Sequence, residues 1–445
     1  MITKFGALRG FFLSLLCVVL SLPVFAGKSS VLSRQKETIR EVLQEIRMEE
    51  ASQTEVQKQA RTLYDEGFTL TGADNTLKIG AWMQNDARIF MGTHPGNTQF
   101  LLRRARMDLR GAMARLFTFR LMGEFEGDNG TNAANLKEGW VEYSQFPGFR
   151  VRLGQYKPPF GLENLSSDLW LDFMERAVGE NFIRPEQELG LMLLGKLFKN
   201  RLEYGVSLSN GSGHNIIENN DAKDVAGRLA LTPFAPSSKK WINQISLGVS
   251  SMYGKQNTTL DAAGPSTAAG TRLFAFVNPT AGNDVTVNDY RLRLGGDLQW
   301  TVGPFSFKTE YAMQRLSGLN FGGVNRNWIL HGHDTSVSWV VTGEDKSNQH
   351  SVNPRHPFDP KEGQWGALEL ASRFEILHAD QGLIDAGFAA GTDDLWSTTA
   401  GVNWYLNSHV RVTGNYVFSK FDDAIANAGA KDSEHVLLFR GQFNL

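Results

Sequence analysis

The sequence predicts an all-β protein, a transmembrane antiparallel β-barrel of about sixteen strands with an N-terminal periplasmic coiled-coil helix. Three observations predict it. From Leu77 onward, apolar residues recur at every second position in segment after segment. Tight turns exchange with longer polar stretches between those segments. A leader directs the chain to the cell envelope, yet no later apolar run approaches the ~18 residues of a membrane helix.

The leader comes first. Lys4 and Arg9 precede an apolar run from Phe11 to Leu22, and Val24-Phe25-Ala26 supplies small residues for cleavage after Ala26. This reads as a secretory signal peptide over residues 1–26. The single cysteine, Cys17, lies inside it, so the exported chain has no disulfide, as suits a bacterial envelope protein.

Residues 27–66 form a second region. They are rich in Glu, Gln, Arg and Lys, and a heptad frame aligns Leu32, Ile39, Ile46, Gln53 and Ala60 at one seam position with Val42, Val56 and Leu63 at the other, where Gln35 and Glu49 interrupt. That seam predicts a coiled coil, and hence an oligomer, in preference to the alternative of a lone amphipathic helix lying on the barrel rim.

The barrel occupies 67–445. Phe117, Phe119, Leu121 and Phe125 share one face, against Arg120, Met122 and Glu124 on the other. Phe305, Phe307 and Tyr311 oppose Ser306, Lys308 and Glu310; Val410, Val412, Tyr416 and Phe418 oppose Arg411, Thr413 and Asn415. Such alternation puts apolar residues toward lipid and polar residues into a lumen, which explains a negative mean hydropathy beside 11% aromatics and 45 glycines. Strands are expected near 77–90, 100–112, 115–127, 136–147, 149–156, 187–196, 200–210, 222–233, 241–254, 286–301, 304–316, 333–344, 364–378, 392–406, 408–420 and 434–445. Pro147-Gly148, Gly303-Pro304 and Asn407-Ser408 make short turns, and 345–363 is long on the side expected to be periplasmic.

Between the fifth and sixth strands the alternation stops for about thirty residues. A loop of this length is usually functional. In a barrel, a third external loop over about 157–187 is placed to fold inward and narrow the bore.

The chemistry expected is electrostatic. Arg104, Arg106, Arg110, Arg150, Arg152, Arg291, Arg293 and Lys308 fall on inward positions, and Lys157, Arg176 and Arg184 lie in the loop. Arginine stays charged and grips phosphate oxygens in a bidentate fork. The competing reading pairs these arginines with inward carboxylates such as Asp108, Glu124, Glu126 and Glu310. A formal net charge of −2 gives no support for nucleic-acid binding. Gly190–Lys196 imitates a phosphate-binding loop but reads as strand, and His331-Gly332-His333 reads as a loop pair without a third metal ligand. No cofactor or metal is expected. A barrel-embedded hydrolase or an envelope-tethering protein are weaker alternatives.

Arg152-Leu153-Gly154-Gln155-Tyr156-Lys157-Pro158-Pro159-Phe160-Gly161-Leu162-Glu163, followed by Phe173-Met174-Glu175-Arg176-Ala177, resembles the phosphate-selective porin O and P family of Gram-negative outer membranes. Leu77–Gly80, Arg103–Arg106, Gly303–Ser306 and Gly366–Arg373 carry the resemblance further, in family order. It implies a sixteen-stranded homotrimer in outer-membrane lipid that is a channel rather than an enzyme. The third external loop would enter the bore and basic residues would guide small anions such as phosphate. The chain departs from the family in having Gly80-Ala81-Trp82, where an arginine is usual, and in ending on Leu445 rather than an aromatic. The first departure favours a general or weakly selective porin.

Overall fold

The computed structural model describes residues 68–445 apart from 93–95, 127–133, 217, 219, 236, 240, 261–263, 277–284, 347–349 and 426–430. The leader and the expected coiled coil over 27–66 lie outside the described residues.

Sixteen long strands form one closed antiparallel sheet. They are β1 (Thr76–Phe90), β2 (Gln99–Met113), β3 (Phe117–Glu124), β4 (Asn135–Phe146), β5 (Phe149–Tyr156), β6 (Glu188–Leu197), β7 (Leu202–Ser209) and β8 (Asp224–Leu231). Then follow β9 (Ser246–Lys255), β10 (Tyr290–Val302), β11 (Phe305–Phe321), β12 (Val324–Val340), β13 (Ala367–Ala379), β14 (Asp394–Tyr405), β15 (Val410–Ile425) and β16 (Lys431–Asn444). Each pairs with its successor, and β16 closes on β1 from Trp82↔Asn444 to Phe90↔Val436. Closure satisfies every strand edge within the wall, as a membrane requires. A short strand, Phe68–Thr71, extends that seam along Thr76–Ile79.

The alternation holds as expected. Leu121, Val249, Phe305, Val337, Trp339 and Phe439 are exposed on the outer surface, while Glu124, Ser250, Ser306, Ser336, Ser338 and Arg440 are buried within. Turns at 114–116, 147–148, 198–201, 303–304 and 406–409 mark one rim. Long connections at 157–187 and 256–289 mark the other, which makes the first rim periplasmic. The long 341–366 connection does lie on the periplasmic rim.

Three features differ from the sequence expectation. First, β11 and β12 run on to a tight Gly322-Gly323 turn with φ of 57° and 82°, where a loop over 317–332 was expected. Paired glycines suit such a hairpin because both central residues need positive φ. His331 and His333 are therefore strand residues facing outward, hydrogen-bonded to Tyr311 and Thr309. Second, a bulge at Gln84/Asn85 shifts the β1–β2 register, turning both Arg103 and Arg104 toward the lumen. Third, the 256–289 connection folds back over the barrel mouth. Its Phe274–Phe276 pairs with Ala389–Gly391 of the 380–393 loop. Phe274 and Phe276 meet Trp328 edge-on at 5.7 Å in a buried cluster with Leu319, Leu330, Leu377, Leu395 and Phe421. An apolar cap thus covers the mouth above β11–β15.

Candidate functional site: the loop between β5 and β6

At the end of β5, Pro158 and Pro159 remove two backbone donors and stop the ladder. Gly161, at φ 74°, turns the chain into a short helix, α1 (Leu162–Leu165). A second, α2 (Val178–Ile183), precedes β6. Phe160 is fully buried against Ala226 and Met252 on the inner wall. Inward glycines make the space. A Cβ on Gly205 would sit 2.9 Å from Pro159, and one on Gly179 would sit 2.6 Å from the Gly332 Cα, so α2 rests directly on β12.

The wall grips the loop with polar side chains. Glu310 accepts from the Leu162 and Glu163 amides at 2.6 and 2.9 Å, and Glu375 accepts from the Val178 amide at 2.8 Å. Asn403 and Arg411 donate to the carbonyls of Asp172 and Leu171, Arg373 to that of Glu175, and Arg440 to that of Met174. Contacts to β2, β11 and β13–β16 place the loop inside the barrel.

Three carboxylates of the loop collect the basic residues. Asp168 meets Arg106, Arg176 (2.5 Å) and Arg104 (3.6 Å). Glu175 meets Arg103 and Arg440, both at 2.9 Å, and Arg104 at 3.4 Å. Asp172 meets Lys308 at 2.9 Å and Lys346, which rises from the periplasmic 341–366 connection, at 2.6 Å. Burial alone would raise these carboxyls. The cations outweigh it and hold Asp168, Glu175 and Asp172 below the ordinary carboxylate range. Lys157 is the converse. Burial, helped by Arg176, lowers its ammonium to about 7, and it donates to the Asn164 and Ser166 carbonyls at 2.7 and 3.2 Å.

The sequence-derived candidates separate into groups. Arg104, Arg106 and Arg176 converge on Asp168. Arg150 and Arg152 share Glu142, with Arg152 stacked 3.9 Å from the Trp140 ring centroid. Arg110 faces inward opposite Lys78 and Arg120. Arg291 pairs with Asp224, and Arg293 donates to Gln314. Arg184 donates to Asn181 at 3.4 Å. Other inward cations went unselected: Arg88, Arg103, Arg120, Arg228, Arg373, Arg411 and Arg440. Strand parity reveals Arg120, Arg411 and Arg440; Arg103 reaches the lumen only because of the bulge. The expected substitution site, Trp82, is buried against Met122 and Leu169, with Arg106 5.9 Å above its ring.

Arginines and carboxylates are unevenly distributed. On the inner face of β1–β5, arginines 88, 103, 104, 106, 110, 120, 150 and 152 outnumber Asp86, Asp108, Glu124, Glu138 and Glu142. On β11–β13 the balance reverses, with Lys308 and Arg373 against Glu310, Asp334, Glu369 and Glu375. On the basic side a cavity of about 470 Å³ is lined by Arg88, Arg103 and Arg176 together with Glu126 and Glu175.

A closed sixteen-stranded barrel with an apolar belt and a charged lumen occupied by its third long loop defines a porin of the bacterial outer membrane. The chain belongs to the family of phosphate-selective porins O and P, whose sequence pattern it matches over residues 77–445. It is 24% identical to Porin O of Pseudomonas aeruginosa over 394 residues, 82% of this chain and 87% of that one. The fold is similar to that of an anion-selective porin from Comamonas acidovorans (TM-score 0.52, 14% identity, 83% of this chain and all of the other). It is also similar to the trimer form of OmpT from Vibrio cholerae (TM-score 0.51, 9% identity, 83% of this chain and 99% of the other).

Proposed function

We propose that this porin passes small anions by passive diffusion, with phosphate or polyphosphate as the favoured class, through a bore narrowed by the 157–187 loop. The observation that carries the reading is the excess of arginine over carboxylate on the inner face of β1–β5, bordering the cavity beside the loop. Fixed positive charge in a narrow wet bore lowers the cost of an anion and raises that of a cation. Arg88, Arg103, Arg104, Arg106 and Arg176 are the residues nearest that path. Arg150, Arg152 and Arg110 continue it toward the periplasm, while Arg291, Arg293, Lys308, Lys157 and Arg184 position the loop and its surroundings.

The trimer form of the similarly folded OmpT supports a homotrimer, and the family match supports its place in outer-membrane lipid. In this reading residues 27–66 supply the coiled coil that assembles it, and deletion of 28–66 should yield monomers with intact barrels. A weakly selective porin is the second reading, favoured by Trp82 and by the carboxylates that neutralise much of the basic face. Chloride current through single channels, recorded while phosphate is titrated into the bath, separates the two. Saturable block supports a phosphate-binding path; current that scales only with ionic strength supports the general porin.

A further inference from the structure

On the side of the loop away from the arginines, carboxyl groups gather with little cation to balance them. Glu180 projects from α2 and is 3% exposed, and neither of its carboxylate oxygens has a cationic or amide partner. It faces Glu310 of β11 across Gly161: an atom placed at the Cβ position of Gly161 would lie 3.0 Å from Glu310 Oε1 and 3.1 Å from Glu180 Oε2. Glu310 already accepts from the amides of Leu162 and Glu163. Asp334 of β12, Glu375 of β13 and Glu163 of the loop complete the surroundings. The cations facing this group are few among the described residues, and Arg184, at the C-terminal end of α2, is one of them. Arg373 lies 3.9 Å from Glu163 and 3.7 Å from Glu375, and Arg228 of β8 is taken by Asp297 of β10 at 2.5 Å.

Two carboxylates that face one point in a buried site with little cation to balance them resist ionising together, and the stable arrangement keeps one proton on the pair. Burial, with Glu310, Asp334 and Glu163 adding to it, raises the Glu180 carboxyl well above its ordinary range. A metal ion is a poorer occupant, because the trio of carboxylates close enough for one, Asp393, Asp422 and Asp423, lies elsewhere among the described residues.

The geometry points to Glu180 and Glu310 as a proton-binding latch that fastens α2, and with it the bore-narrowing loop, to the β11–β12 wall. Its ligand is a proton. The latch deepens the proposed function and rests on the reading that this loop limits permeation. The sign follows from the direction of the shift. A carboxyl raised in the attached loop binds its proton more tightly there than in a detached one, so attachment is strongest at low pH and weakens as pH rises through the raised value. Once the second proton leaves, two adjacent negative charges push α2 from the wall. Glycine contact at Gly179–Gly332 leaves no side chain between helix and strand to cushion that repulsion.

The test combines two measurements on the full-length protein. Infrared difference spectra between about pH 6 and about pH 9 should show the carbonyl band of a protonated carboxyl that survives well above the ordinary glutamic range. The band should vanish in Glu180→Gln. Open-channel current noise should grow several-fold over the same pH range in the wild type and stay low throughout in Glu180→Gln, whose amide mimics the protonated acid. Glu310→Gln should repeat both results, and heat-modifiable migration confirms folded barrels. Absence of the band, or a band unaffected by either variant, overturns the latch. A band that titrates as described without any change in current noise upholds the proton site and overturns the reading of the loop as the constriction.

Discussion

Glu175→Gln removes one negative charge from the loop while keeping an acceptor oxygen for the arginines around it. In the wild type that carboxylate neutralises part of Arg103, Arg104 and Arg440, and it borders the cavity beside β1–β2. For a permeant ion passing ~6 Å away through a medium of effective dielectric ~40, a unit charge is worth ~1.4 kcal/mol, or about tenfold in permeability. Salt at physiological strength screens part of this, so a three- to tenfold rise in the chloride-to-potassium permeability ratio is the expected scale, roughly. The assay is the zero-current potential of the reconstituted variant under a potassium chloride gradient, beside the wild type. Asp74→Asn serves as the control, since its exposed side chain pairs with Arg115 at a periplasmic turn, away from the loop. An unchanged ratio in Glu175→Gln, or a shift toward potassium, would refute the claim that anions pass the Arg103 side of the loop.

Arg103→Ala should lower the anion ratio by a factor similar to the gain in Glu175→Gln, whereas Arg315→Ala, on the outward face of β11, should leave it unchanged; bi-ionic potentials decide. Lys346→Met leaves Asp172 and Glu369 buried without their shared cation and should cost about 3–5 kcal/mol in urea unfolding. Combining it with Asp172→Asn should recover about 1–3 kcal/mol, and strict additivity would contradict the contact. Gly179→Ala forces α2 off Gly332, so a destabilisation of about 1–3 kcal/mol with a larger unit conductance is expected. Lys157, lowered to about 7 by burial, is neutral in the fold at a pH where the unfolded lysine is charged. Its contribution to stability therefore rises between about pH 7 and the ordinary lysine range near pH 10, and Lys157→Met should flatten that rise in unfolding midpoints.

Much of the barrel was legible because its physics is local. A strand that faces lipid on one side and water on the other writes a period of two into the chain, and Phe305–Tyr311 or Val410–Phe418 show it without help. The third long loop was legible as a failure of that period after Tyr156, and Pro158-Pro159 gave its start. What escaped notice depends on tertiary context. Parity assigns Arg103 to lipid, and only the bulge opposite Gln84 and Asn85 turns it inward. Leu316, Leu319, Leu330 and Leu377 are inward yet apolar, because the cap built by 256–289 and 380–393 replaces water with Phe274 and Phe276 above them. Above the membrane, β11 and β12 no longer face lipid, so their alternation fades although pairing continues to Gly322-Gly323. Lys346 sits in a periplasmic connection with no periodic signal, and its bond to Asp172 spans 174 residues of sequence. Inward arginines were recognised one at a time. Their pairing with Glu124, Glu142, Asp168 and Asp224 was legible only as a general expectation.

The central claim is that fixed charge around the loop selects anions, and the reversal potential of the wild-type channel tests it most directly. With purified protein in a planar bilayer under a tenfold potassium chloride gradient, roughly the usual range for such work, the potential should take the sign of chloride permeation. It should also move toward zero as salt is raised and the field is screened. A potential of the opposite sign, or one at zero across all salt concentrations, would contradict the account.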